Sequence, residues 1–146
     1  MTLIAPVILI GLLGGMAVGL QGPLSSMISQ RLGIIESVFI IHLGGSLASF
    51  LLILSKGGGN LAEWRSVPWY ALAGGVLGLA VISAISFTIP RVGVASSILV
   101  IVAGQLVVSA LLDHFGLLGA AIRPLDLPRL AGFLIVFAGV WLVIRP

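Results

Sequence analysis

Residues 1–30, MTLIAPVILIGLLGGMAVGLQGPLSSMISQ, contain no charged side chain. A helix needs about 20 apolar residues to cross a bilayer core of roughly 30 Å, so this stretch is long enough to span a membrane. It lacks the basic n-region of a secretory signal peptide and its glycines recur at helical spacing, so we predict a spanning helix rather than a cleaved leader. Pro23 lies inside it and predicts a kink or a break in the helical hydrogen bonds.

Four more apolar runs follow the first, and short polar or turn-forming segments separate them. β-Barrel strands would alternate apolar and polar residues, whereas these runs are apolar throughout. We expect Pro90 to end the third helix and Gly93 to turn the chain directly into the fourth. The sequence therefore predicts an all-α polytopic membrane protein in which residues 1–146 form one five-helix domain. We place the helices near residues 3–30, 34–55, 67–89, 92–112 and 129–145.

The composition excludes several other classes of protein. Of the 146 residues, 60% are apolar and only 8% are charged, whereas soluble domains carry about 25% charged residues. Disorder requires few apolar residues and many charges, so it is excluded too. The absence of cysteine excludes disulfides and thiolate metal sites. The seven Lys and Arg residues are scattered singly and form no nucleic-acid patch, although the net charge is +3.

Basic residues are distributed almost evenly between the two membrane faces that five spans define. Cytoplasmic loops normally hold the excess of Lys and Arg, and here four oppose three. Either a single orientation is still selected, or the chain inserts both ways and forms an antiparallel homodimer. Many transporters pair two inverted repeats, and this chain resembles one such repeat. The N-terminal side carries Lys56, Arg65, Arg123 and Arg129, and the other side carries Arg31, Arg91 and Arg145.

Glycines at four-residue spacing indicate close helix packing. Lipid provides no hydrophobic drive for helix association, so small residues that let backbones approach are important. These stripes can serve packing within the chain, a dimer contact or a sliding surface. They consist of Gly11, Gly15 and Gly19 in the first helix and of Gly74 and Gly78 in the third.

Polar side chains deep inside the spans are candidates for substrate contact, because a polar group in hydrocarbon needs a partner. Gln21 lies ten residues before Arg31, or about 15 Å along a helix, close to the bilayer midplane. Ser25 follows one turn later on the same face. Gln105 is the candidate partner in the fourth helix. The two glutamines either join helices by hydrogen bonds or line one cavity.

The second helix carries a small, polar face formed by His42, Gly45, Ser46 and Ser49. Histidine side chains titrate near neutral pH, so His42 is a candidate carrier of a coupling proton. Alternatively, it is a neutral ring bonded to a helix carbonyl. Glu36 either stabilises the helix N-terminus or relays protons from a vestibule. The absence of a mid-span carboxylate argues against a pump for polycations or quaternary amines.

Other polar groups lie near the ends of the spans. Asp113 and His114 are adjacent, but no nucleophile motif and no HExxH metal motif accompanies them, so we predict no enzyme activity. Asp126 is expected to form a surface ion network with Arg123 and Arg129, and to cap the last helix near Pro128. The aromatic residues fit belts at the lipid–water boundary, and these are Trp64, Trp69, Tyr70 and Trp141.

Three segments resemble the YdcZ family, small bacterial inner-membrane proteins of the drug/metabolite transporter superfamily. They are GLQGPLSSMISQRLG (19–33), PRVGVASSILVIVAGQLVVSALLDHFG (90–116) and RPLDLPRLAGFLIVFAGVWLV (123–143). The resemblance covers nearly the whole chain and implies an exporter with five helices per chain. It also implies single genes, paired genes or fused ten-helix forms, consistent with antiparallel assembly. Ser25 stands where the family usually has asparagine, and His42 where an aromatic residue is common.

The sequence thus predicts a secondary transporter, an exporter of a small metabolite or drug-like molecule, that uses alternating access across an antiparallel dimer in the bacterial inner membrane. A proton or ion gradient would supply the energy, since no P-loop is present; no cofactor or metal is expected. The partners would be lipid, the substrate, and a second copy or an oppositely oriented homologue. A non-transporting helical subunit and a small channel are the alternatives. The predicted substrate contacts are Gln21, Ser25, His42, Ser46 and Gln105, and the proton-coupling candidates are His42 and Glu36.

Overall fold

The computed structural model describes residues 4–145, and within this range it contains helices and no strand. Five helical stretches are long and apolar enough to cross a membrane. The helices are α1 (Ile4–Leu32), α2 (Ile34–Ser55), α3 (Trp69–Leu72), α4 (Gly74–Val92), α5 (Val94–Phe115) and α6 (Leu127–Ile144), with 3₁₀ turns at Leu61–Ser66 and Leu117–Gly119.

The five predicted spans are confirmed, and their ends shift by at most three residues. The second span has the predicted bounds. The predicted start of the first span, at residue 3, lies outside the described residues. The third span is divided into α3 and α4, because the chain makes a turn at Ala73 before the helix resumes. Together these two pieces run for 24 residues, Trp69–Val92.

The two prolines interrupt the helices less than the sequence suggested. Pro23 lies inside a continuous α1 and does not break it. Pro90 does not end the third span, because α4 continues to Val92. Each proline removes one N–H donor and its ring crowds the carbonyl four residues earlier, but its fixed φ is helical and both helices continue past it. The stop comes instead at Gly93, whose φ of 83° is readily adopted only by glycine.

The chain divides into two compact units at Pro90. In the first unit α1 and α2 are joined through Gly33 alone, which has a φ of 115°, and they pack against each other. The buried residues of this unit are mostly small or β-branched. They lie on α1, α2 and α4, and they are Gly22, Ser25, Ser26, Ser37, Val38, Ile82, Ile85, Ser86 and Ile89.

In the second unit α5 packs against α6. An apolar groove of about 370 Å³ lies between them, lined by leucines, Ala110 and Phe133 among others. Asp126 caps α6 as predicted, because its carboxylate accepts the backbone N–H of Arg129 at 3.0 Å. The guanidinium of Arg129 donates to the backbone carbonyl of Arg123 at 3.0 Å. Each of these two hydrogen bonds has a backbone group as one partner. Neither pairs the charge of Asp126 with the charge of an arginine, as the predicted ion network would require.

Candidate functional site

Three serine hydroxyls join three helices of the first unit at a buried point. Ser25 of α1 lies 3.0 Å from Ser37 of α2 and 2.8 Å from Ser86 of α4, measured between Oγ atoms. Ser37 Oγ also donates to the backbone carbonyl of Ser25 at 2.8 Å. None of the three side chains is more than 2% exposed. We call these three residues the serine cluster.

The proton positions in the serine cluster follow from this geometry. A carbonyl oxygen can only accept, so the single hydroxyl proton of Ser37 is used on the carbonyl of Ser25. Ser37 Oγ must then accept from Ser25, and Ser25 Oγ must accept from Ser86. Every hydroxyl therefore has a partner, and the polar groups of the cluster can be buried without an unsatisfied donor.

A separate polar cleft of about 320 Å³ opens on the surface of the first unit. The small, polar face predicted on α2 lines it as a whole. Gln21 lies eleven residues before the end of α1, which places it about 16 Å from that end at helical rise. This depth is close to the middle of a bilayer core of roughly 30 Å. The lining residues are Gln21, Ile41, His42, Gly45, Ser46, Ser49 and Ile82.

His42 has a defined tautomer within this cleft. Its Nδ1 lies 2.8 Å from the backbone carbonyl of Val38, one turn earlier in α2, and must donate to it. In the neutral ring Nε2 is then the unprotonated nitrogen, which can accept a hydrogen bond. Nε2 lies against Gly78 of α4, where a side chain would collide with it. The bond to a helix carbonyl agrees with the alternative interpretation of His42 made from the sequence.

The structure groups some of the predicted contact residues and separates others. Gln21, His42 and Ser46 line the same cleft. Ser25 does not, because its hydroxyl is buried in the serine cluster. Gln105 is exposed on α5 in the second unit. The carboxylate of Glu36 folds back over Gly33 at the start of α2, as expected for an acid that stabilises a helix N-terminus.

The glycine stripes are mostly open within a single chain. A β-carbon added at Gly11, Gly15, Gly19 or Gly74 would meet no atom within 4 Å. Gly78 is different, because it receives the ring of His42. Packing within the chain thus accounts for Gly78 alone among these five glycines.

The adjacent pair Asp113 and His114 holds the connection between α5 and α6. The backbone carbonyl of Asp113 accepts from Arg123 N–H at 2.8 Å. His114 Nδ1 accepts from Leu125 N–H at 3.1 Å. These bonds give the pair a structural role. Within residues 4–145 no cluster of three or more His, Asp or Glu side chains is placed to hold a metal ion.

Comparison with known proteins places this chain in a family. The family described as "Putative inner membrane exporter, YdcZ" matches residues 6–142. The chain belongs to the YdcZ family. It is 31% identical over 122 residues to "Inner membrane protein YdcZ" of Escherichia coli (strain K12), which covers 84% of this chain and 74% of that protein.

No solved structure matches this YdcZ-family chain. Its family membership and its five apolar helices identify it as a multi-pass protein of the bacterial inner membrane. The surface of its spanning helices is therefore surrounded by lipid rather than by water.

Sequence reasoning missed Ser37 and Ser86 as members of a polar site. Each lies inside an apolar run, and a hydroxyl in hydrocarbon needs a partner, so their presence was a usable signal. The pairing of these two serines with Ser25 could not be predicted, because it depends on the rotation of α2 and α4 about their own axes. That rotation is set by packing rather than by spacing along the chain.

Proposed function

We propose that this chain is a secondary transporter that exports a small metabolite or drug-like molecule. Transport would proceed by alternating access across an antiparallel homodimer, or across a pair formed with an oppositely oriented homologue. Each chain would contribute residues 1–146 as one five-helix domain. The observation that carries the proposal is the polar cleft at mid-membrane depth, lined by Gln21, His42 and Ser46 and open on the surface of the first unit.

The open cleft is the reason to propose a second copy. Amide, imidazole and hydroxyl groups exposed to hydrocarbon lose hydrogen bonds with water, and each unsatisfied group costs several kcal/mol. A second chain over the cleft would replace lipid by protein and a hydrated cavity. In transporters built from inverted repeats the substrate site lies near the midplane, at the interface between the repeats. Membership in a family described as a putative inner membrane exporter supports the export function.

Residues outside the cleft would have supporting roles. Gln105 would complete the substrate contacts if the assembly brings α5 over the cleft. Ser25 would act by holding α1, α2 and α4 together, and it would contact substrate only if the serine cluster opens. His42, and Glu36 at the start of α2, would carry the coupling proton.

Substitution of Gln21 tests the proposal. We expect Gln21→Ala to abolish transport while the protein still folds and dimerises, because an alanine leaves the packing intact but removes the amide from the cleft. Transport is measured as saturable exchange in proteoliposomes, and folding as the elution volume in detergent. Gln30→Ala is the matched control, since Gln30 lies on the same helix but outside the cleft, bonded to Ser26 at 3.1 Å.

The same assay separates the alternatives. Unsaturated conductance would identify a channel, and the absence of any flux would favour a non-transporting subunit. If Gln21→Ala transports as well as Gln30→Ala, the cleft is not the substrate site.

A further inference from the structure

We propose that the segment Leu61–Ser66 lies in the membrane surface and binds the phosphate of an anionic phospholipid through Arg65. This segment is the 3₁₀ helix between the second and third spans. Three features point to lipid: the arrangement of the apolar side chains, the short distance to the third span, and the position of the Arg65 guanidinium. Lipid binding here requires neither a second chain nor transport.

The apolar side chains of the segment form one row. A 3₁₀ helix has three residues per turn, so side chains three positions apart lie above one another. Leu61 and Trp64 are related in this way, and Val67 follows at the next turn, where its N–H donates to the carbonyl of Trp64 at 3.2 Å. A second row with the same spacing is polar and consists of Asn60, Glu63 and Ser66. The segment is therefore amphipathic, the property that lets a helix lie in the plane of a membrane surface.

The third span keeps this segment close to the bilayer. That span begins at Trp69, and Ser66 precedes it by three residues, which reach at most about 10 Å. The headgroup layer on each side of a bilayer core is roughly 5–7 Å deep, so the segment cannot move far beyond it. None of its residues is buried within the described chain, and Leu61 and Trp64 are 59% and 55% exposed. The apolar medium within reach of this row is lipid.

Arg65 is held at the depth where lipid phosphates lie. Its guanidinium carbon lies over the ring of Trp64, 5.5 Å from the centroid, a geometry in which the ring attracts the cation. Indole rings at membrane surfaces lie at headgroup level, so the group stacked on this ring is at headgroup level too. A guanidinium binds phosphate oxygens through two parallel N–H bonds. Arg65 is exposed, which leaves its donors accessible to a phosphate.

The charge of the loop selects the headgroup. Between α2 and α3 it carries two basic residues, Lys56 and Arg65, and one acidic residue, Glu63, so its net charge is +1. A choline headgroup places a quaternary ammonium beside its phosphate, and the two basic residues repel that cation. A glycerol headgroup brings no cation. We therefore expect a preference for phosphatidylglycerol over phosphatidylcholine.

Fluorescence quenching by brominated lipids tests the inference. Trp69→Phe with Trp141→Phe leaves Trp64 as the only tryptophan of the full chain, which is reconstituted into phosphatidylcholine vesicles. Phosphatidylglycerol or phosphatidylcholine with bromine on the acyl chains then replaces an increasing fraction of the lipid. We expect half-maximal quenching at an about fivefold lower fraction of the brominated phosphatidylglycerol. Equal quenching by both lipids would overturn the anionic headgroup, and no quenching by either would overturn the location in the membrane.

Charge variants in the same background test the role of Arg65. Arg65→Gln should remove most of this preference, whereas Arg65→Lys should retain part of it, because lysine keeps the charge but not the paired N–H bonds. Arg123→Gln is the matched control, since it removes the same charge from the loop between α5 and α6, and it should leave the preference unchanged. A preference that Arg65→Gln does not alter, or that Arg123→Gln lowers equally, would overturn the assignment to Arg65.

A polar substitution tests the apolar row. Leu61→Asn interrupts the row and should weaken quenching of Trp64 by both brominated lipids. Ala62→Asn is the control, because position 62 is exposed but lies outside the row, and quenching should stay as it is without this substitution. Equal quenching in these two variants would show that the row does not hold the segment in the membrane.

Discussion

At the scale of single residues, the contact between His42 and Gly78 fixes the geometry of the polar cleft. The ring of His42 is held at one nitrogen by the carbonyl of Val38, and its other nitrogen lies against the backbone of α4. Glycine at position 78 is therefore required by the neighbouring ring and not by its own backbone conformation. The position of the histidine depends on the absence of a methyl group on another helix.

Gly78→Ala should destabilise the protein by about 1–3 kcal/mol, because the added β-carbon collides with Nε2 of His42 and the ring must move. Unfolding by SDS in mixed micelles would measure the change. Gly74→Ala is the matched control on the same helix. It meets no atom within 4 Å and should be neutral or stabilising by up to about 1 kcal/mol.

A double substitution tests the cause of this destabilisation. Removing the ring with His42→Ala should cancel most of the effect of Gly78→Ala, since residues in contact give non-additive changes in stability. Strictly additive effects would show that the clash is not with His42.

The polar face of α2 could be predicted from the sequence, but its contact on α4 could not. Helical spacing alone places His42, Gly45, Ser46 and Ser49 on one side of a helix, and all four line the cleft. The pairing of His42 with Gly78 instead depends on how far α4 slides along α2. Side-chain packing between the two helices sets this offset, and it cannot be predicted from the spacing of residues in a single sequence.

At the scale of helices, the serine cluster is the polar connection among α1, α2 and α4. Ser25 is its centre, since its hydroxyl accepts from Ser86 and donates to Ser37. All three hydroxyls are buried, so the loss of the central one leaves a neighbour without a partner.

The ends of the helices, in contrast, could be predicted from the sequence. Gly33 and Gly93, both at positive φ, separate consecutive helices, and glycine is a strong signal for a helix end or a turn.

Ser25→Ala should lower the free energy of unfolding by about 1–2 kcal/mol, because the Ser86 hydroxyl loses its acceptor in a buried site. Ser86→Ala should cost less, since Ser25 can still donate to Ser37. Ser55→Ala is the control: its hydroxyl is exposed and bonds only to Leu52 of its own helix, so a change within about 0.5 kcal/mol is expected. A Ser25→Ala protein as stable as Ser55→Ala would show that the cluster does not hold the helices together.

At the scale of the whole molecule, the orientation of the chain in the membrane is the property that the proposed dimer depends on. Four basic residues on the predicted N-terminal side oppose three on the other. This weak bias predicts that both orientations are populated, because an excess of Lys and Arg selects the cytoplasmic face. The number of spans could be predicted from the apolar runs. The pairing of two chains could not, because it depends on contacts between molecules and not on the length or hydropathy of any one run.

Changing this balance should separate the two orientations. Asn60→Lys with Leu61→Lys gives six basic residues against three, and Lys56→Gln with Arg65→Gln gives two against three. We expect opposite orientations for the two variants, with each inactive alone and activity restored on co-expression. Labelling of a cysteine-bearing terminal tag from each side of intact cells measures the orientation. Full activity of either variant alone, in one orientation, would contradict the antiparallel dimer.

The serine cluster also limits the paths that a proton can take through this protein. Its chain of hydroxyls runs from Ser86 through Ser25 to Ser37 and stops on an amide oxygen of α1, which is far too weak a base to receive and pass on a proton. The cluster is consequently a dead end for conduction, even though it crosses three helices. In the proposed proton-coupled mechanism, the coupling proton would therefore follow a path that avoids these three hydroxyls.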